Sequence, residues 1–180
     1  MIEIDLYYID LKYIRSLSNV DDNVMSISPQ RGKENRPFVG VIVLVNGEEY
    51  CIPLTSPKEK FRKKKSQVDF IKIFDESSRD ENNQYKLIGV LNINNMIPVE
   101  ATVIRKVDLV IHKNDSMEIK RSKILMQKQL AWCRDNKEVI NNRAQKVYDL
   151  VVNTPEKNKN LTKRANKYKE LENKLRKYIK

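Results

Sequence analysis

The sequence has one histidine, two cysteines, four glycines and six prolines among 180 residues, and each shortage excludes something. A ribonuclease mechanism that uses two histidines as base and acid is impossible, and the polar surroundings of His112 are typical of a solvated turn. Cys51 and Cys133 fit no metal-ligand spacing, so we expect buried thiols in a reducing compartment. So few glycines and prolines argue against a fibrous or low-complexity protein.

The chain also lacks the signatures of several enzyme classes. It contains no GxxxxGK[ST], GxGxxG, HExxH or GxSxG motif, and no acidic cluster stands out as a two-metal site. NTPases, dehydrogenases, metal-dependent nucleases and serine hydrolases are therefore poorly supported, and we expect neither a metal nor a cofactor. No stretch approaches the ~18–20 apolar residues of a membrane span, and the acidic N-terminal region is unlike a secretory signal. We expect a cytoplasmic protein without a membrane partner.

What the chain has in excess is positive charge, at 35 Lys and Arg against 24 Asp and Glu, for a net charge of +11. Two segments hold this excess. Residues 58–65 carry six Lys/Arg and one Glu, and residues 156–180 carry ten Lys/Arg and three Glu. Such a concentrated field favours a polyanionic partner, nucleic acid before an anionic membrane surface. The alternative is charge that serves only solubility.

A rigid β-hairpin is predicted beside the first basic segment. The run FVGVIVLV at residues 38–45 has the length and β-branched composition of a strand buried on both faces. Asn46-Gly47 follows, and because both central positions of a type I′ turn need positive φ, this pair predicts a two-residue turn into a strand over 48–54. In that register Arg36 lies beside Thr55-Ser56, at the hairpin end that leads into the basic run.

In the rest of the chain, most of the predicted strands come first and most of the predicted helices follow them. Further strands are predicted at 2–8, 68–74, 87–93, 97–103 and 103–109, with a helix at 10–17 capped by Asp10 and polar loops at 18–37 and 75–84. Residues 116–153 contain no glycine or proline, and their apolar spacing predicts helices at 116–134 and 136–153. An amphipathic basic helix is predicted over 161–180.

This order of elements indicates an α+β fold with a compact, twisted, largely antiparallel and partly barrel-like sheet that carries helices on one side. We expect one domain over 1–154, with the sheet at about 1–110 and helices at about 116–153. Residues 155–180 are then a basic helical extension of the same domain.

The hairpin end offers groups suited to a phosphodiester. The 2′-hydroxyl of RNA is an internal nucleophile held near the phosphorus, so proximity supplies much of the acceleration. A protein then needs to orient the phosphate, for which Thr55 and Ser56 are suited, and to neutralise its developing charge, for which Arg36 and Lys58 are suited. Tyr13 is a further candidate. The plain alternative is that Thr-Ser-Pro-Lys is an ordinary strand-ending turn.

Five stretches, in order along the chain, resemble the ToxN/AbiQ family of bacterial type III toxins: LKYIRSL around Tyr13, FVG at 38–40, PLTSPK at 53–58, GVLNINNMIP at 89–98 and KILMQKQLA at 123–131. The resemblance implies a twisted sheet like that of the MazF, Kid and CcdB toxins, with added helices. It implies a metal-independent endoribonuclease that cuts A-rich RNA, cellular or phage, to 2′,3′-cyclic phosphate and 5′-hydroxyl ends.

The resemblance also implies a partner. The toxin would be inhibited by a repeated small antitoxin RNA that folds as a pseudoknot and that the toxin itself cuts from a precursor. Toxin and RNA would form closed rings, often three of each. The biological role would be phage defence by abortive infection or plasmid maintenance.

Position by position, the family's active-site residues match Thr55, Ser56, Lys58 and Tyr13. Its lysine before the F-[IV]-G strand falls on Arg36, which keeps the charge but is a poor proton donor or acceptor, so we expect charge stabilisation there, and Lys33 is close enough to substitute. RNA should be bound by basic residues in the charged segments and the loop before the hairpin: Lys33, Lys60, Arg62, Lys63, Lys64, Lys65, Lys163, Arg164 and Lys167. The alternatives are a non-catalytic basic RNA-binding module and, third, protein-directed toxicity like that of gyrase poisons.

Overall fold

An antiparallel sheet of seven strands, followed by a helical half, makes up residues 4–25 and 38–180, the part of the chain that this computed structural model describes. The strands are β1 Leu6–Ile9, β2 Phe38–Val45, β3 Glu48–Thr55, β4 Phe70–Arg79, β5 Tyr85–Asn92, β6 Ile97–Pro98 and β7 Ile104–Lys106. The α-helices are α1 Leu11–Ser18, α2 Glu59–Lys63, α3 Met117–Asp135, α4 Lys137–Val152, α5 Lys159–Arg164 and α6 Tyr168–Tyr178. The predicted α+β class is confirmed.

The predicted hairpin lies at the centre of the sheet, whose strand order is β4-β5-β3-β2-β1-β7, with β6 paired to β3. Strands β2 and β3 pair from Val45 opposite Glu48 to Gly40 opposite Pro53, so the predicted register is confirmed. Asn46 has φ 50° and Gly47 has φ 82°, as a type I′ turn requires. The last residues of β3 then leave β2 and pair with β5.

Gly40 interrupts the apolar run of β2 for a packing reason. A Cβ atom at this position would collide with the carbonyl oxygen of Ile52 and the sulfur of Cys51 on the neighbouring strand. The glycine therefore allows β3 to lie close to β2 two residues from the strand's beginning, and this fixes the hairpin end that was predicted to carry the chemistry.

Several predicted boundaries differ from the structure. The strand predicted over 97–103 is reduced to β6, because the 3₁₀ turn Ala101–Val103 follows it, and the strand predicted over 103–109 is reduced to β7. The short helix α2 was not predicted. Strand β4 continues through residues 75–79, which were predicted as loop, because they pair with β5 as far as Arg79 opposite Tyr85. The single helix predicted over 161–180 is broken into α5 and α6. Asn166 is buried in the break and donates to the carbonyl of Met96 at 3.1 Å, while the carboxylate of Asp21 accepts from the Lys167 backbone N–H at 2.6 Å.

The C-terminal helices form part of the core. A main cluster between sheet and helices contains three tyrosines, Tyr50, Tyr148 and Tyr168, whose ring centroids lie 5.5–5.9 Å apart. A second cluster packs α1 against the α6 residues Leu171 and Leu175. Both cysteines are buried free thiols, as predicted. Within the described ranges, no helix is long and apolar enough to cross a membrane.

A buried carboxylate ties α6 to the tyrosine cluster. Glu172 is 4% exposed, and its Oε1 accepts hydrogen bonds from the hydroxyls of Tyr50 at 2.7 Å and Tyr148 at 2.9 Å. Its other oxygen lies 3.1 Å from Lys169 Nζ and 3.5 Å from Arg176 Nη2. Burial alone raises the pKa of Glu172, but the hydrogen bonds outweigh it and hold the pKa below the ordinary value of 4.5.

We therefore expect Glu172→Gln to lower the free energy of unfolding by about 2 kcal/mol near neutral pH, because it removes a buried charged acceptor. Since the folded pKa is depressed, the carboxylate's contribution is complete above the ordinary value of 4.5 and is lost as the pH falls through the folded pKa. The difference between the wild type and the variant should therefore shrink below that pH. Urea unfolding at a series of pH values measures it.

Glu170→Gln on the same helix is the matched control. Glu170 is exposed, and its nearest cation is Lys167 Nζ at 3.9 Å, so its replacement should cost less than about 0.5 kcal/mol at every pH. If the Glu172→Gln difference stayed constant down to about pH 3, the ionised carboxylate would not be what stabilises this cluster.

Candidate active site

The candidate site begins where β3 ends. Thr55 is half-buried and pairs with Val90 on β5. Its Oγ1 accepts a hydrogen bond from the Asn92 side-chain amide at 3.0 Å and donates to the Val90 carbonyl at 3.4 Å. The neighbouring strand therefore holds the Thr55 hydroxyl through two hydrogen bonds. The bond from Asn92 is short, and the bond to the Val90 carbonyl is long.

Ser56 and Lys58 follow immediately and are both exposed. Lys58 occupies the N-cap position of α2, and its carbonyl accepts from the Phe61 N–H at 2.8 Å. The hydroxyl of Ser56 and the ammonium of Lys58 thus lie on the surface within three residues of the ordered Thr55. The structure confirms that the predicted stretch is a strand end, and it leaves these two side chains open to a ligand.

The first basic segment is held against the sheet by one aromatic anchor. Phe61 on α2 is 9% exposed and packs on Phe70 of β4, with ring centroids 5.3 Å apart. Lys72 Nζ donates to the Arg62 carbonyl at 3.3 Å. The side chains that were predicted to bind RNA here are all exposed: Lys60, Arg62, Lys63, Lys64 and Lys65. The segment is therefore a fixed, solvent-facing cationic ridge.

The second basic segment reaches the same part of the sheet. Arg164 Nε lies 2.5 Å from the carboxylate of Asp69, the residue that precedes β4. Lys163, Arg164 and Lys167 are all exposed. Asp69 is adjacent to Phe70, on which Phe61 of α2 packs, so the two predicted cationic segments each contact one of two consecutive residues. Phe70 in turn pairs with Asn92, the partner of Thr55.

Two predicted site residues, Arg36 and Lys33, lie outside the described residues. The described part of β2 begins at Phe38, which pairs with Ile9 of β1, and its pairing with β3 ends at Gly40 opposite Pro53. The assignment of the family lysine role to Arg36 or Lys33 stays a prediction.

Comparison with known proteins identifies the family. The family described as "Toxin ToxN, type III toxin-antitoxin system" matches residues 5–176 of the chain. The chain belongs to the ToxN family. An endoribonuclease ToxN from Bacillus thuringiensis subsp. kurstaki is 34% identical over 140 residues, which are 78% of this chain and 64% of that protein. The matched region thus spans somewhat less than two thirds of this ToxN relative.

Solved structures of ToxN-type toxins share the whole fold. One, from work on selective toxin inhibition by a non-coding RNA pseudoknot, is 28% identical with a TM-score of 0.77 and covers 99% of each chain. Another is AbiQ, a lactococcal anti-phage endoribonuclease of a type III toxin-antitoxin system, which is 26% identical with a TM-score of 0.77 and covers 98% of each chain. The similarity therefore extends over the strands and all the helices of this ToxN-family chain.

Tyr13 is not brought to Thr55 in this member of the ToxN family. It is fully buried, and its hydroxyl donates to the Pro98 carbonyl at 2.6 Å. Pro98 pairs with Tyr50, five residues before Thr55 on β3, a separation of about 16 Å along an extended strand. Burial, with smaller contributions from Tyr178 and Glu100, raises the pKa of Tyr13 far above its usual range. This geometry does not support the predicted catalytic role.

We expect Tyr13→Phe to retain RNA cleavage within about threefold of the wild type. The substitution leaves the Pro98 carbonyl without its donor, so the free energy of unfolding should fall by about 1 kcal/mol. Single-turnover cleavage and urea unfolding test the two effects separately. A hundredfold loss of cleavage in a folded variant would instead restore Tyr13 to the active site.

Asn92 is the residue of the site that sequence reasoning missed. It ends β5 and donates to Thr55 across the strand pair. The sequence offers only a polar residue after the apolar run of β5, a pattern that equally predicts a strand end. His112, by contrast, lies as predicted in an exposed turn, 2.8 Å from Asp108. No group of His, Cys, Asp or Glu suited to holding a metal ion occurs among the described residues.

Proposed function

We propose that this chain is a metal-independent endoribonuclease toxin that cleaves A-rich single-stranded RNA. The observation that carries the proposal is the arrangement at the end of β3, where exposed Ser56 and Lys58 follow an ordered Thr55 hydroxyl and lead into the first cationic segment. Attack of the substrate's own 2′-hydroxyl on the adjacent phosphorus leaves a 2′,3′-cyclic phosphate and a 5′-hydroxyl. The protein's task is to bind, orient and stabilise charge.

In this mechanism the hydroxyls of Thr55 and Ser56 donate to the phosphate oxygens and fix the attack geometry. Lys58 is exposed, and its ammonium compensates the negative charge that develops on the non-bridging oxygens. Arg36 is suited to the same task through a bidentate contact, with Lys33 as its alternative. Tyr13 supports the strand pair from within the core.

The charged surfaces on either side extend the site along the RNA. The ridge from Lys60 to Lys65 and the cluster Lys163, Arg164 and Lys167 would contact phosphates, since all of these side chains are exposed. The two segments contact the neighbouring residues Phe70 and Asp69 through Phe61 and Arg164. An RNA strand bound across both segments would pass over Thr55 and Ser56. Contacts of this kind are independent of base identity and give salt-dependent affinity.

The partners follow from the family. A structural relative is described by its inhibition by a non-coding RNA pseudoknot, and AbiQ is described as anti-phage. We extend both properties to this chain: a repeated pseudoknot antitoxin RNA inhibits it, is processed by it and joins it in a closed ring, three toxins with three RNAs. Its substrates are cellular and phage RNA in the cytoplasm, and its role is phage defence or plasmid maintenance.

We group the twisted sheet with those of the MazF, Kid and CcdB toxins, with β3 passing from one strand pairing to the next as a curled sheet requires. Residues 155–180 are treated as an extension of the single toxin domain, because Leu161, Tyr168 and Leu171 are buried against the rest of the chain.

An RNA cleavage assay in EDTA tests the proposed function. Purified protein should cut an adenosine-rich single-stranded RNA in excess chelator, and the products should carry 2′,3′-cyclic phosphate ends that resist 3′ ligation until they are opened. Loss of all cleavage in chelator would overturn the metal-independent mechanism. Tight RNA binding without cleavage under any condition would identify a non-catalytic RNA-binding module instead.

A further inference from the structure

Asn92 occupies a position at which asparagine normally caps a helix. It immediately precedes the 3₁₀ turn Ile93–Asn95, and an asparagine there usually accepts a hydrogen bond from a backbone N–H of the first turn. Its side chain makes no capping bond and instead donates to Thr55 Oγ1 at 3.0 Å. The amide is thus directed away from its usual local partner and toward the proposed active site.

The hydrogen bonds of Thr55 explain what this contact does. A hydroxyl has one proton and two lone pairs. One lone pair of Oγ1 is occupied by the Asn92 amide, and the proton points to the Val90 carbonyl at 3.4 Å, well beyond the usual 2.5–3.0 Å of an O–H···O bond. The proton is therefore weakly held and can turn to a phosphate oxygen. Donation from Asn92 polarises the hydroxyl and makes it a stronger donor.

The backbone around Asn92 is fixed before any substrate binds. Asn92 pairs with Phe70, and the next two N–H groups, of Ile93 and Asn94, donate to the Asp69 carbonyl at 2.9 and 3.2 Å. The carboxylate of Asp69 is in turn paired with Arg164. The amide is therefore presented to Thr55 by a rigid support, as a preorganised site requires.

We propose that Asn92 is a positioning residue of the RNA cleavage site, which holds the Thr55 hydroxyl so that its proton is donated to the scissile phosphate. The inference rests on the proposed endoribonuclease function and adds to it a residue that acts through Thr55. It predicts effects on the cleavage step rather than on RNA affinity, because Asn92 contacts the hydroxyl and the substrate contact is made by Thr55.

The test compares Asn92→Ala, Asn92→Asp and Thr55→Val with the wild type, using single-turnover cleavage of an adenosine-rich RNA that the wild-type protein cuts in EDTA. We expect Asn92→Ala to lower the cleavage rate constant on the order of 10- to 100-fold, with the dissociation constant for RNA within about threefold. The dissociation constants are measured in the Ser56→Ala background. Adding Asn92→Ala to Thr55→Val should produce no further loss, because the two residues form one unit.

Asn92→Asp has nearly the same shape, so it separates positioning from folding and replaces the alanine variant if that one does not fold. An ionised aspartate can only accept a hydrogen bond, so cleavage near neutral pH should fall at least as far as in the alanine variant. Protonation restores a donor, so the ratio of the variant's rate to the wild-type rate should rise as the pH is lowered. A merely structural role would not produce this profile.

Three results would overturn the proposal: wild-type cleavage by Asn92→Asp near neutral pH, an equal loss from Asn92→Ala with and without the Thr55 hydroxyl, or a loss that appears only in RNA affinity. Failure of the proposed function itself is distinguishable, since the wild-type protein would then fail to cut RNA in EDTA, and the inference about Asn92 would fall with it.

Discussion

Ser56→Ala should lower the rate constant of RNA cleavage by about 100-fold or more while the protein still folds and binds RNA. Ser56 is exposed and adjoins Thr55, so its hydroxyl has no packing role to lose. A donor aimed at the oxygens that gain charge in the transition state typically contributes two to three orders of magnitude. The measurement is single-turnover cleavage with protein in excess, together with RNA affinity by gel shift and thermal unfolding. In cells, expression of the variant should no longer arrest growth.

Ser66→Ala is the matched control, because Ser66 is also exposed and follows the same cationic ridge. It should cleave RNA at the wild-type rate, which would show that the effect belongs to the end of β3 and not to any hydroxyl on this surface. Cleavage by Ser56→Ala within about threefold of the wild type would remove Ser56 from the site. Loss of cleavage together with RNA affinity would indicate a binding residue.

The hairpin could be predicted in detail because its determinants are local. The type I′ turn at Asn46-Gly47 fixes the pairing, and one register then holds from Val45 opposite Glu48 to Gly40 opposite Pro53. It predicts Thr55 and Ser56 at the end of β3, where the structure has them. The beginnings of α1 and α3 are also determined locally. The Asp10 and Ser116 side chains each accept a hydrogen bond from a backbone N–H three residues later.

The structural features that the sequence did not predict depend on contacts between distant segments of the chain. Strand β4 continues as a polar strand because β5 supplies its partners. The break between α5 and α6 depends on Asp21 and Met96, which lie far away in sequence. A 3.6-residue apolar period cannot reveal either contact.

The same limit applies within the site. The role of Asn92 follows from a cross-strand hydrogen bond to Thr55, which residue type and spacing do not encode. Tyr13 was matched by position along the chain, yet its hydroxyl is committed to the Pro98 carbonyl in the core. The sequence predicts that Thr55 lies at the end of the hairpin strand, whereas the orientations of the Tyr13 and Asn92 side chains depend on tertiary packing. The catalytic roles stay predictions.

The largest effect on RNA affinity should come from three consecutive lysines, the last residue of α2 and the two that follow it. Lys63, Lys64 and Lys65 are exposed, and Phe61 holds the segment beside the proposed path of the RNA. We expect their replacement by glutamine to weaken RNA binding on the order of 10- to 100-fold at low salt. Each phosphate contact adds about 0.7 to the slope of log affinity against log salt for a single strand, so that slope should decrease by up to about 2.

A control of equal charge separates local contacts from the general field of the protein. Lys86, Lys113 and Lys146 are exposed and lie outside both basic segments, on β5, on the loop before α3 and on α4. Their replacement by glutamine lowers the net charge by the same amount, so the long-range attraction of RNA changes equally in both triple variants. If only the α2 variant loses salt dependence, its lysines contact phosphates directly. If both variants lose affinity equally, the α2 ridge acts only through net charge, and the RNA does not follow the path proposed across Thr55 and Ser56.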